Sequence, residues 1–508
     1  MKPDYDVIMI GTGIGGSACA ALLAAAGFKT LVLEKNDCVG GMSSSYEKEG
    51  FIIDSAIHVF SSGIRGRFGK IMKRIGLDTL KFVNITDRNA IKALEQKGFT
   101  RLSFSTDALT SKVGPNFKDP GQVDLSKMGF RGDDMKVLMT IMGRILQASK
   151  KKLKEMHDAK LTFEDFIAQY SPSAGVKSLL VFLTGGMFGL PPRMASAPEM
   201  IQGLQEWVIT NDLSYPLSFP LSPKKNPSCW SSDRIGGAIA VPTAFLQGVT
   251  KFGGEIRVKA KVSKILIEDE KAVGVLVDGT PIYSKVVVSN AGIKPTVLNL
   301  VGRDSFAKDY IEKIEGLTSS FSAVTFKFGL KAPIIEHFVF VNLYHGDLSV
   351  LGEKVIRRDA PKPTGFMTIL PTNADPALAP PGHQLAIFGT LAPTHSKDWK
   401  QWTEYYYNEI LKFYPDIEKK MLFCDITTPL DMQTLSGKAF GPIETTALTP
   451  DQSGPYRISA ELPIENLYVV GDSAGIDTHG IGTQLAADSA IKLADLLINK
   501  YKSALKLS

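Results

Sequence analysis

Three glycines and one acid near the start of the chain have the types and spacing to hold a dinucleotide. Gly11, Gly13 and Gly16 form a Gly-x-Gly-x-x-Gly turn, with Ile14 and Gly15 inside it, and Glu34 follows 23 residues after Gly11. Each part has a physical job in binding a pyrophosphate and the ribose next to it. Gly11 allows a tight turn, Gly13 lets phosphate approach bare backbone, and Gly16 lets a helix pack close to a strand. A helix starting at this turn presents free N–H groups and partial positive charge to the phosphates. Glu34 can accept hydrogen bonds from ribose hydroxyls. The turn alone does not separate a flavin dinucleotide from a nicotinamide one.

The elements that must position these residues are legible on both sides. Asp6–Ile10 is an acid followed by a continuous apolar run, as in a strand buried on both faces of a parallel sheet. Ser17–Ala26 is small and helix-prone, and Thr30–Leu33 is a second apolar run that ends at Glu34. The order is strand, glycine turn, helix, strand, acid.

The next residues extend the site. Lys35 follows the acid, and Gly40-Gly41-Met42-Ser43 places a second glycine pair just beyond it. Gly50 to His58 then reads as glycine, strand, acid and turn. Far downstream, Gly236-Gly237 leads a helical pattern that Gly253-Gly254 closes. Arg257–Ile267, Lys271–Val277 and Ile282–Val288 read as strands, with Asn290-Ala291-Gly292 after the last. Asn466–Val470 is a strand ending at Gly471-Asp472, and Gly480-Ile481-Gly482-Thr483-Gln484 opens a helix to about Ile498.

These motifs, in this chain order, resemble the FAD-dependent amine oxidase / phytoene desaturase superfamily. Within it the chain is most similar to the phytoene desaturase, carotenoid isomerase and retinol saturase group. The segments 372–383, 428–431 and 449–454 add to that likeness, which is weak between Ser61 and Pro227. Many members carry Arg after the glycine pair, where this chain has Met42. The group's C-terminal turn often carries a run of glycines, where this chain has Asp477-Thr478-His479.

The resemblance implies an α/β fold: a discontinuous Rossmann-like FAD-binding domain (1–80, 230–300 and 455–508) with an α+β substrate-binding or lid domain (81–229 and 301–454). It implies FAD contacts at Gly11, Gly13, Ile14, Gly15, Gly16, Glu34, Lys35, Gly40, Gly41, Met42, Ser43, Ile57, His58, Val262, Asn290, Ala291, Gly471, Asp472, Gly480, Ile481, Gly482, Thr483 and Gln484. Val262 is expected to reach the adenine through its backbone, and Asp472 the ribityl or pyrophosphate region. His58 is the candidate acid or base beside the flavin, against the alternative of a histidine that only bonds backbone. His479 is a weaker candidate.

The implied activity is desaturation, saturation or isomerisation of C–C double bonds in a lipophilic polyene or isoprenoid. An amine-oxidase-like enzyme acting on C–N bonds and a non-catalytic flavin-binding escort of prenylated lipid remain as alternatives.

Composition sets the outer bounds. At 508 residues, 44% hydrophobic and 22% charged, the chain is an ordinary globular protein too long for one simple core. A net charge of +6 suits an anionic cofactor, and no basic block interleaved with aromatics points to nucleic acid. No cluster has metal-ligand spacing, so no metal is expected. The four cysteines (Cys19, Cys38, Cys229 and Cys424) read as reduced thiols. With no basic-then-apolar leader, a cytoplasmic location is expected.

The first insertion, 81–229, reads as mostly helical, and the second as strands at 321–328, 338–343, 365–370 and 384–391. Val137, Leu138, Ile141, Met142, Ile145 and Leu146 form an apolar stripe flanked by Lys136, Arg144, Lys150, Lys151, Lys152 and Lys154. Such a helix packs on a core or lies in a membrane interface, which leaves peripheral membrane contact open.

Overall fold

The computed structural model describes residues 3–56, 59–84, 104–105, 132–173, 176–177, 180, 189–210, 212–221, 234–335, 339–343, 365–392 and 399–505. Its main sheet joins three distant stretches of chain. In order across the sheet, the parallel strands are Glu255–Arg257, Thr30–Leu33, Tyr5–Ile10, Thr280–Ser289 and Leu467–Val469. The side chains of Thr30–Leu33 and Leu467–Val469 and those from Val7 to Ile10 and from Val286 to Ser289 are buried, as the unbroken apolar runs require. The long strand Thr280–Ser289 serves two sheets. Its first residues pair antiparallel with Lys271–Val277, which pairs in turn with Val262–Glu268.

The run expected as one strand over 257–267 is two. Lys259 takes a positive φ of 54°, and the Lys259 and Ala260 N–H groups donate to the carbonyls of Asn36 and Glu34 at 2.8 Å each. The chain thus leaves the parallel sheet, crosses behind Glu34 and starts the meander. Alternation could not reveal this, because Val258, Ala260 and Val262 keep it across the break.

Helices Ile14–Ala25, Ala240–Lys251 and Gly482–Leu505 pack together on one face of the sheet. The last runs seven residues past its expected end. Ala, Gly and Cys on the first helix keep the axes close, and one core takes in all three.

The second sheet has the order Met421–Thr427, Ser322–Leu330, Gln384–Ala392, Gly365–Ile369, Val339–Leu343, Phe104–Ser105. It is antiparallel except for its last pair. Aromatics cover one face, where Trp402 and Tyr406 of helix Trp399–Phe413 pack near Phe366 and Phe388. Helices Asp134–Gln147, Lys150–Asp158, Phe163–Ala168 and Ala197–Thr210 form a third cluster. Ile141 and Ile145 of the apolar stripe are buried there, whereas Leu146 stays 44% and Met139 65% exposed. No helix among the described residues is long and apolar enough to cross a membrane.

Two details depart from expectation. Cys38 is disulfide-bonded, so the reading of four reduced thiols is corrected; Cys19 and Cys424 are free. Sequence separation carries no information on which thiols the fold brings within bonding reach. The segment 213–221, read as part of the first insertion, packs in the cofactor-side core through Tyr215, Phe219 and Leu221. Tyr215 donates to Asp54 Oδ2 at 2.6 Å, while Asp54 Oδ1 accepts from Ala238 N–H at 2.7 Å and Ser45 Oγ at 2.8 Å.

Asp54 therefore ties three stretches of chain together from a fully buried position. Replacing it by Ala strands three buried donors, at a cost on the order of 3 kcal/mol. Thermal denaturation of Asp54→Ala is expected to show a melting temperature several degrees below wild type, with Asp54→Asn in between.

Candidate functional site

The glycine turn follows the first strand directly. Gly11 has φ +91° and donates to Leu33 O at 2.7 Å. Helix Ile14–Ala25 then starts from Gly13 with no side-chain cap and no acid in its first turn. Its leading N–H groups carry the partial positive charge of the helix and are not neutralised by the protein.

The turn lies in a crowded backbone environment. A Cβ on Gly15 would stand 2.8 Å from Gly471 Cα, one on Gly13 would stand 2.8 Å from the Asn290 side chain, and one on Gly16 would collide with Gly11 O. The Asn290 amide bridges the two halves of this contact. Its nitrogen donates to Val470 O at 3.0 Å, and its oxygen accepts from Gly13 N–H at 3.2 Å. Asn290 therefore works beneath the turn, holding it against the C-terminal strand. Ala291, half-buried, follows it. The second glycine pair meets the first: Gly41, φ +57°, is placed so that its Cβ would be 3.4 Å from Gly13 Cα. Met42 and Ser43 complete that short helical turn.

Glu34 is buried at the end of its strand. Oε2 accepts from Thr12 N–H at 3.1 Å and Thr12 Oγ1 at 2.5 Å, and Oε1 accepts from Asn36 N–H at 3.0 Å. Thr12 Oγ1 in turn accepts from Gly40 N–H at 3.1 Å. The acid thus couples both glycine turns. Val262 opens its strand two residues past Ala260, which is pinned to Glu34 O. The Lys35 side chain goes elsewhere, donating to Thr434 O at 2.9 Å at the end of helix Pro429–Ser436.

At the C-terminal turn, Gly471 has φ +113° and donates to Ser489 Oγ at 3.2 Å. Asp472 Oδ2 accepts from Lys438 Nζ at 2.7 Å, Thr445 N–H at 2.9 Å and Thr445 Oγ1 at 2.8 Å. Burial alone would raise its pKa, but Lys438 and Thr445 outweigh this and hold the carboxyl below the ordinary range. Gly480 and Gly482 both have positive φ. Ile481 and Thr483 are half-buried around them, and Gln484 Nε2 donates to Ser61 O at 2.6 Å. His479 lies 3.2 Å from Glu199 and 3.1 Å from Asp477. Ile57 and His58 lie outside the described residues.

The turns at Gly11–Gly16, Gly40–Ser43 and Gly471 thus meet at one place, with Glu34 tying the first two together and Gly480–Gln484 opening the helix that packs on Ile14–Ala25. The groups present fit an anionic dinucleotide: an uncapped helix start, bare glycine backbone and a carboxylate at the end of the second strand.

One buried lysine escaped sequence reasoning. Lys327 sits mid-strand in Ser322–Leu330 and is 1% exposed. Its Nζ donates to Ser55 O at 2.9 Å and Thr427 Oγ1 at 2.5 Å, and lies 5.4 Å from the Tyr46 ring centre. It ties the second sheet to the chain just past the second glycine pair. The available signal was a lone cation in an otherwise apolar strand.

Fold and site together define a dinucleotide-dependent oxidoreductase. Residues 14–498 match the family described as flavin containing amine oxidoreductase, and the chain belongs to that family of FAD-dependent oxidoreductases. It is 26% identical to the chloroplastic prolycopene isomerase of Daucus carota, over 92% of this chain and 76% of that protein. It is 23% identical to the all-trans-retinol 13,14-reductase of Danio rerio, over 98% of this chain and 86% of that one. Among solved structures, an oxidoreductase from Methanosarcina mazei shares the fold with a TM-score of 0.67, at 18% identity, over 96% of this chain and all of that one.

Burial draws the Lys327 ammonium down to about 8 from its ordinary 10.5, against the pull of Asp425 and Asp54. Between these values the unfolded chain binds a proton that the folded one does not, so stability rises with pH across that window. Relative to Lys327→Met, wild type is expected to gain about 3 kcal/mol between the two pKa values. Denaturant melts at several pH values check this; parallel curves for the two proteins contradict it.

Proposed function

We propose that this chain binds FAD across the joined glycine turns and uses it to desaturate, saturate or isomerise C–C double bonds of a lipophilic polyene or isoprenoid. The meeting of Gly13, Gly41 and Gly471 beside an uncapped helix start carries the reading. The likeness to a prolycopene isomerase and a retinol reductase supports the substrate class.

In this reading residues 1–80, 230–300 and 455–508 form the cofactor domain, and the remainder covers the substrate. The bare backbone of Gly13 and the amides of Ile14, Gly15 and Gly16 hold the pyrophosphate, with Gly40, Gly41, Met42 and Ser43 closing over it. Glu34 takes the adenosine ribose and the Val262 backbone the adenine, with Lys35 contributing main chain only. Asn290 and Ala291 support the phosphate turn from below, and Gly471 and Asp472 face the ribityl chain. Gly480 to Gln484 direct a second helix start at the pyrimidine edge, where negative charge gathers on reduction.

Bound flavin supplies hydride exchange at N5. Ile57 and His58 belong beside its ring, with His58 holding or giving the proton that accompanies hydride transfer. The Lys327 bond to Ser55 O fixes the chain three residues before His58. Met139 and Leu146, exposed beside Arg144 and Lys150, suit a peripheral contact with the membrane that stores such substrates.

Purified protein is expected to be yellow, with the flavin absorption band, and Gly15→Val to be colourless because its side chain would enter Gly471. Candidate polyenes added without oxygen are expected to bleach the band if oxidised, or to restore it in pre-reduced protein if saturated. Bleaching by amines and by no polyene would replace this reading with C–N oxidation; a yellow protein that neither bleaches with either nor changes the double-bond geometry of a polyene, read by chromatography, is an escort.

A further inference from the structure

A second group of ionisable residues lies where the helical cluster meets the C-terminal turn. Its centre is Glu199, 1% exposed on helix Ala197–Thr210. A single oxygen, Oε1, faces both His479 Nδ1 at 3.2 Å and His157 Nε2 at 3.5 Å. The other oxygen has no hydrogen-bond partner among the described residues. Neither do the two ring nitrogens of His157, the Nε and Nη2 of Arg457, Oε2 of Glu444 or Oε1 of Gln484. All five residues are more than nine-tenths buried.

The group runs in one direction. Its outer end is Asp477, 84% exposed, 3.1 Å from His479 Nε2. Its inner end is Glu444, whose Oε1 accepts from Gly482 N–H at 2.5 Å. Arg457 lies within electrostatic reach of both Glu199 and Glu444, and its Nη1 donates to Asp472 O at 2.8 Å. The group therefore spans from solvent to the glycine turn that opens the last helix.

A purely structural ion pair would use both carboxylate oxygens. Burying a carboxylate with one oxygen idle, next to a guanidinium with two idle nitrogens, costs stability. Such atoms recruit water, and water between them makes a hydrogen-bonded chain.

We propose that His479, Glu199, Arg457 and Glu444 form a proton path joining solvent at Asp477 to the turn Gly480–Gly482. The path rests on the flavin reading of that turn. A proton arriving on His479 Nε2 from solvent releases the Nδ1 proton to Glu199. Rotation of the protonated Glu199 carboxyl turns that proton toward water held by Arg457 and His157, and the water passes a proton to the idle oxygen of Glu444 beside Gly482. Only N–H and O–H bonds form and break; no electrons move.

The charges around the path fit this order. Glu199 and Asp477 raise the pKa of His479 above the ordinary imidazole value, whereas burial lowers that of His157. Asp488 accepts from His479 N–H, Arg67 donates to His479 O, and Lys492 pairs with Asp477 and Asp488. Burial, with Asp472 nearby, pushes Glu444 up to about 8 against Gly482, Lys438 and Arg457, so it can hold a proton at neutral pH.

The test uses the flavin-loaded protein in weakly buffered solution with a pH-indicator dye. Flash photoreduction of the flavin is followed by the rate at which the dye reports proton uptake. Wild-type uptake is expected to slow as pH rises above the His479 pKa. Glu199→Gln and Glu444→Gln, which keep size and hydrogen bonding, are expected to slow it about a hundredfold, the low end for a positioned acid–base group. His479→Ala is expected to be slow and to recover in added imidazole, which a structural loss would not do. Uptake at the wild-type rate in both Gln variants overturns the path. Should those variants not fold, a wild-type rate flat from pH 5 to 9 overturns it equally. A colourless wild-type protein overturns the flavin reading itself, and the path with it.

Discussion

The backbone contact between the first glycine turn and the end of the C-terminal strand is the constraint on which the site depends. Gly15 and Gly471 approach so closely that neither position has room for a Cβ. Asn290 spans the same joint with one bond to each side. Three pieces of chain, more than a hundred residues apart, are thereby brought to one point. No helix cap or acidic side chain intrudes on the helix start there, so its positive end stays available for phosphate. Any side chain at the joint would have to part the two halves of the main sheet.

Much of this was legible because the signals are local. A strand buried on both faces must be apolar throughout, and a turn with bare backbone must be glycine, so Tyr5–Ile10, the two glycine turns and Glu34 could be read directly. The terminal helix and four of the six strands of the second sheet were visible for the same reason, through period and punctuation. What escaped depends on contacts across the fold. The direction of the Lys35 side chain is set by a helix end 399 residues away. Asn290 is expected from sequence as a cofactor contact, and nothing in its local sequence signals that its side-chain amide bridges Gly13 N–H and Val470 O. The break at Lys259 hides in an alternating run, and the disulfide at Cys38 depends on proximity that spacing does not encode.

Buried charge is concentrated where the two sheets and the helical cluster meet. Lys327, Glu444, Arg457, Glu199 and His157 are all at least nine-tenths buried, although such groups are seldom found inside unless paired. Lys327 is satisfied, by a carbonyl and a hydroxyl, and its role is to fix the chain beyond the second glycine pair. The Glu199 group is only partly satisfied. Both sit at seams rather than within a single core, so hydrophobic packing inside each body is undisturbed and the electrostatic cost falls on the joints.

That placement separates two demands on the molecule. Holding a dinucleotide requires bare backbone and fixed dipoles, which the glycine turns supply without any ionisable group except Glu34. Moving protons requires groups whose charge can change, and in the proposed path one of them, Glu444, reaches the last helix's glycine turn at Gly482, whereas Lys327 at Ser55 serves to fix the chain. Lys327 lies on the second sheet and meets Ser55 and Thr427, while Glu444 meets Gly482 N–H and lies near Asp472, Lys438 and Arg457. Neither group takes part in the glycine joint, which glycine backbone and Asn290 hold by themselves. This is consistent with the chain sharing its framework with an isomerase and a reductase at about a quarter identity.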